Sequence, residues 1–184
     1  MKYLIYVTKS KPWLFFNKSI NYYSLSNKKV DNDLNGKIVA EFDGEVNTIT
    51  MFFIPLLNSV EYLTGKEPYR YFSYGNLLKA SCLNDNEMYK YLGCKDGWAI
   101  HINDLKIFEE PKKLSDYHIS YYNKDLKMMR EKHLEKAPQN MCRAFDVNGN
   151  YIVLSVHPEW ACKILNGEKT IEVRKQVLNC MKGD

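Results

Sequence analysis

"NYIVLSVHPEWACKILNGEKTIEVRK", residues 150–175, reads as strand, helix and strand in succession. Pro158 stands at the first helical position, where its missing N–H is no loss, and Gly167 supplies the stop. Trp160, Ile164 and Leu165 are the expected buried face of that helix. In the strand after it, Thr170, Glu172 and Arg174 share one side while Lys169, Ile171 and Val173 share the other. Lys169 stands at the strand entrance, so the turn at Gly167 decides whether it follows the apolar side or swings away. Glu172 and Arg174 can pair with each other, or offer an acceptor and a bidentate donor to a base edge or a phosphate. On spacing alone, a solvated charged strand face is the commoner arrangement.

Outward from this segment the chain reads as β-rich, with short helices between strands. "KYLIYVT" (2–8) is dense in β-branched and aromatic residues and predicts a strand. The Asn/Lys-rich stretch 17–35 is the best candidate for a mobile loop, ended by a turn at Asn35-Gly36. "KIVAEFDGEVNTITMF" (37–52) alternates as a strand does, with Asp43-Gly44 marking a tight turn or a bulge. "LLNSVEYL" (56–63) has helical spacing and is followed by a loop through Tyr74. Asn84 lies three residues before Glu87 and Gly93 follows, which predicts a capped helix over 85–92. "GWAIHINDLKIFEEPKKLSDY" (97–117) predicts one long or bulged strand to Phe108 and a second extended stretch after Pro111. "SYYNKDLKMMREKHLEKAP" (120–138) predicts an amphipathic or solvent-facing helix that ends before Pro138. No internal repeat or low-complexity linker interrupts the chain.

A length of 184 residues suits one domain with a full core, and 45% hydrophobic with 26% charged residues is a globular composition. Fourteen tyrosines favour β structure and supply amphipathic rings for stacking. The net charge of +4 and pI near 8.6 permit an anionic partner without marking a dedicated nucleic-acid-binding domain. Five cysteines at irregular spacing, with no CxxC pair, read as reduced thiols and give no zinc-ligand pattern, so no metal or cofactor is expected. The longest apolar run, "TMFFIPLL", is too short to span a bilayer, and "MKYLIYVTKSK" carries no signal-peptide cleavage pattern. The expectation is a cytoplasmic protein with no membrane partner. No GxSxG, P-loop or GxGxxG appears.

"SVHPEWACKILNGEKTIEVRK" resembles the motif of the ASCH domain family, of the PUA-like superfamily: a helix, a glycine (Gly167), a lysine two on (Lys169), then an acidic residue and an arginine in the next strand (Glu172, Arg174). "IYVTKSKP" (5–12), "NGKIVAEFD" (35–43), "GWAIHINDLKIFEEPKKLSDY" and "APQNMCRAF" (137–145) are similar, in that order, to later segments of phage-encoded members. The order differs from the family's, whose domain opens with the motif segment. The resemblance therefore implies a single circularly permuted domain over 1–184. Residues 1–145 are its later part, "DVNGN" (146–150) the joining linker and 151–184 the family-opening strand-helix-strand. An exposed turn between neighbouring termini tolerates such a cut and rejoining. If the segment from Tyr151 packs on a neighbouring chain instead, the result is a domain-swapped dimer.

The resemblance implies an α+β, mainly β fold, a PUA-like β-barrel flanked by short helices, with a cleft that binds RNA or a modified nucleotide. Lys169, Glu172 and Arg174 are the implied cleft residues. Some superfamily members are amidohydrolases acting on N4-acetylcytidine, with the motif lysine catalytic beside a threonine three residues on. Here Glu172 replaces that threonine, so binding is the first expectation and hydrolysis, with Lys169 and Glu172 moving protons, the alternative. Beside them, Trp98 and His101 could line the cleft, Trp98 being the more frequent kind of core residue. Glu41 could add a carboxylate or pair with a surface lysine. Lys9 could contact phosphate or stand in solvent.

Overall fold

The structure is a computed structural model, and it describes residues 1–8, 34–49, 62–63, 74–93 and 95–181. The described residues form nine strands and three α-helices: β1 (Lys2–Val7), β2 (Ile38–Ile49), β3 (Tyr62–Leu63), α1 (Tyr74–Ser81), α2 (Asp85–Leu92), β4 (Gly97–Lys112), β5 (His118–Asn123), β6 (Met128–His133), β7 (Met141–Asp146), β8 (Gly149–Val156), α3 (Pro158–Leu165) and β9 (Ile171–Arg174). The protein is thus mainly β with short helices. Two compact units divide the chain: one holds Met1, Phe42–Leu105 and Lys163–Asp184, the other Lys2–Glu41 and Lys106–Cys162.

In the second unit the hydrogen-bonded order runs β6-β5-β7-β8-β1-β2. β1 lies parallel to β8, from Tyr3 opposite Ile152 to Val7 opposite Val156. Both are buried along nearly their whole length, which accounts for their continuous apolar sequences. Gly36 takes a left-handed φ of 80° in the turn before β2, and Gly36 N donates to Val7 O. Leu4, Tyr6, Ile38, Leu114, Tyr117, Leu134, Ala144, Tyr151 and Val153 form this unit's core.

In the first unit β2 pairs with β4 and β4 with β9, while β3 pairs with β2. Ile49, Ala99, Ile171 and Val173 pack against Leu77 of α1 and Met88 and Leu92 of α2. The capping box of α2 forms as its sequence dictates: Asn84 Oδ1 accepts from Glu87 N at 2.9 Å, and Glu87 Oε2 accepts from Asn84 N at 2.8 Å. Gly93 closes that helix in the left-handed conformation, its N–H donating to Tyr89 O.

Four local expectations are corrected. Residues 120–138 form no helix; they give most of β5, a turn and β6. Asn123 Oδ1 accepts from Leu126 N at 2.9 Å, and this side-chain turn ends one strand and starts the next where a helix would have run on. Pro111 does not divide the 97–117 segment, for β4 is continuous through it to Lys112; the irregularity falls at Asp104, with φ 48°. Of the two readings of Asp43-Gly44 the tight turn is excluded, since β2 continues to Ile49 and Gly44 N donates to Met1 O. The last two residues of "LLNSVEYL" are β3, and α1, which buries Leu77, begins at Tyr74, where the expected loop ends; residues 64–73 lie outside the described residues. The rest of 56–63, and the 17–35 loop up to residue 33, lie outside the described residues.

Candidate functional site

The turn after α3 sets the geometry of the motif. Gly167 adopts φ 75°, and the backbone N–H groups of Glu168 and Lys169 both donate to Lys163 O. That closure carries the chain out of the helix so that β9 starts only at Ile171, leaving Lys169 before the strand. Thr170 N then donates to Ala80 O, and Ile102 N to Thr170 O. The entrance of β9 is thereby tied to the end of α1 and to β4.

Lys169, Glu172 and Arg174 are all buried, at 3%, 9% and 8% exposure, which overturns the solvated-face arrangement. Glu172 is the hub: its Oε2 lies 3.3 Å from Lys169 Nζ and its Oε1 lies 2.9 Å from Arg174 Nε. The Arg174 approach is close but off the N–H axis, so it is an ion contact and not an aligned hydrogen bond. Lys169 Nζ also donates to Ser81 O at 2.6 Å. Ser81 ends α1, so the ammonium satisfies a carbonyl that the helix leaves without an intrahelical partner, at the helix end where positive charge is favoured. Two cations and one carboxylate leave the cluster with one net positive charge. Ion pairs removed from water give back much of their attraction as desolvation, so burying three charges adds little stability over a packed apolar cluster.

The other candidates separate. Trp98 lies directly opposite Arg174 in the β4–β9 ladder, and Ile100 opposite Glu172, so these four side chains start from one face of the pair. Ala99, Ile171 and Val173, on the other face, fill the core against α1 and α2. Trp98 is half-buried and lines an open cavity of about 380 Å³ together with Lys175, Gln176, Val177 and Asn179. Lys175 Nζ stands 5.2 Å from the centroid of the Tyr91 ring. Burial pushes the Tyr91 phenol up; Arg174 opposes the rise, Glu172 adds to it, and the Lys175 backbone N–H lowers it again. Tyr91 and Lys175 lie outside the residues that the motif marks. Lys175, immediately after the motif arginine, was the signal available.

His101 lies opposite Ile171 and starts from the core side of the ladder, away from Trp98. Burial lowers its pKa from the ordinary 6.5, and the Glu45 carboxylate works against that shift. Glu41 belongs to the other unit and pairs with Lys106 Nζ at 3.6 Å, the lysine largely in solvent. Lys9 lies outside the described residues. Among the described residues no group of three or more His, Cys, Asp or Glu side chains could hold a metal ion, and no helix is long and apolar enough to cross a membrane. β8 pairs with β1 and β7, and β9 pairs with β4. Comparison of this chain with protein-family models, with curated proteins and with solved structures finds no match.

Proposed function

We propose that the protein is a binding module for RNA or a modified nucleotide, an ASCH-like domain on a PUA-like barrel, with its ligand in the depression beside Trp98. The observation that carries this reading is a buried, net-positive Lys169–Glu172–Arg174 cluster whose arginine stands across the ladder from an indole at a cavity wall. The chemistry of the lining matches a nucleotide. Trp98 offers a stacking face, Gln176 and Asn179 carry the paired donors and acceptors that read base edges, and Lys175 is a cation for phosphate. A volume of about 380 Å³ suits one nucleotide and not a long strand. In this reading Arg174 adds positive potential at the wall, while Lys169 is a positioning residue that ties Glu172 to the end of α1. A cytoplasmic location follows from such a ligand.

The test is a fluorescence-anisotropy titration of short single-stranded RNA and of labelled nucleotides against the wild type, Trp98→Ala and Lys175→Ala. Saturable binding that weakens about tenfold or more in Trp98→Ala, the order of one lost base stack, supports the reading. Binding indifferent to both substitutions overturns it. Release of acetate from N4-acetylcytidine by the wild type, lost in Lys169→Met at unchanged fold by circular dichroism, would replace it with the amidohydrolase reading.

A further inference from the structure

The β5–β6 hairpin has a form that the core does not explain. β5 meets β7 in register only where His118 faces Phe145; from Ile119 outward its strand partner is β6 alone. Ile119 still packs against the core, and beyond it a two-stranded ribbon about 13 Å long continues to the turn at residues 124–127. Its base is pinned. His118 and His133 face each other with ring centroids 4.2 Å apart, the His133 Nδ1 lies 2.8 Å from Ser115 O, and Phe145 stacks on His118. Every residue of β6 is exposed.

The ribbon's two faces differ. Tyr121 stands opposite Arg130, and Ile119 opposite Lys132, so both cations and the phenol ring start from one face. Lys132 Nζ lies 5.0 Å from the centroid of the Tyr121 ring. The other face carries Tyr122 opposite Met129 and Ser120 opposite Glu131. Lys124 and Lys127 add positive charge at the tip. Lys127 holds a left-handed φ of 49°, a conformation glycine adopts freely and a lysine adopts only against steric strain. The exposed apolar side chains are split: Met128 belongs to the basic face, while Tyr122 and Met129 belong to the other, so they make no single apolar docking surface. The apex, with Lys124, Asp125 and Lys127 around Leu126, resists burial in hydrocarbon.

We propose that this arm grips a phosphodiester backbone, with Arg130 and Lys132 on successive phosphates, Lys124 and Lys127 at the tip, and Tyr121 under a base or sugar. Arg130 and Lys132 are two strand residues, about 6.6 Å, apart on one face, so both cations can reach phosphates of the same strand. A two-stranded β-ribbon is also an element that the major groove of a duplex admits. This surface belongs to residues and a unit distinct from the Trp98 depression and stands without it.

The experiment compares the wild type with Arg130→Gln/Lys132→Gln across a salt series, using short single-stranded RNA and the duplex RNA and DNA of the same sequence. The variant should bind about tenfold more weakly at low salt, with the salt slope reduced by about 1.4 on single strands or 1.8 on duplex DNA, and with an unchanged melting temperature. The probe that shows the larger slope change identifies the backbone. Equal affinity and slope in wild type and variant on all three probes overturn the proposal. So does a wild type that binds none of them, or one that binds phosphatidylserine vesicles and no nucleic acid.

Discussion

β9 and β6 are both short strands that contain an arginine and a glutamate, and each is paired with one antiparallel neighbour, yet every residue of β9 is buried and every residue of β6 is exposed. Charge content therefore does not decide which strand goes inside. What covers the strand does: β9 shares its ladder with the part of β4 that packs on α1 and α2, and Lys169 reaches the last carbonyl of α1. β6 has β5 on one edge and no helix of its unit over either face among the described residues. Burial turns the same residue types from solvated charges into a network in which removing one charge leaves the others less well compensated out of water.

That difference can be broken by substitution. Glu172→Gln removes the carboxylate charge that bridges Lys169 and Arg174 and leaves two buried cations without that compensation. Urea unfolding should show a loss of about 3–5 kcal/mol, and a loss below about 1 kcal/mol would mean the cluster is solvated after all. Gly97→Ala tests the helix cover itself. A Cβ at Gly97 would stand 2.6 Å from Leu92 Cδ2, a side chain already packed in the core of that unit, so a loss of about 1–3 kcal/mol is expected. Glu131→Gln is the matched change on the exposed strand and should move stability by less than about 0.5 kcal/mol. If Glu131→Gln proved as damaging as Glu172→Gln, the contrast between the two strands would fail.

Much of this was legible in the residues, and the failures have physical causes. The α2 boundaries followed from Asn84, Glu87 and Gly93, because a capping box and a left-handed stop are local hydrogen bonds that need no distant partner. Pro158 and Gly167 placed α3 and the turn before β9 for the same reason. Trp160, expected on the buried face of α3, is only half-buried, while Ala161, Ile164 and Leu165 fill the interior. The 120–138 segment misled because mixed charges with scattered Leu and Met fit a helix loosely. The deciding signal was Asn123, whose side chain makes the turn, together with β-forming Ile119, Tyr121 and Tyr122. At the site, the alternation of Glu172 and Arg174 and the special position of Lys169 were legible. Their burial was not, and neither was the neighbourhood of Tyr91 and Lys175, since both depend on where α1 and α2 pack.

The sequence by itself determined the strand-helix-strand motif, the caps of α2, the left-handed glycines and the strand character of β1 and β8, because these rest on backbone conformation and on runs of apolar residues along one segment. Only the tertiary structure decided that the charges of 169–174 are enclosed, that Lys169 closes α1, that Glu41 pairs in the other unit and that β5 and β6 stand out as an arm. Those outcomes turn on residues tens of positions apart meeting across a ladder or a helix end, and a charged side chain carries no mark of whether water or a carbonyl will be its partner.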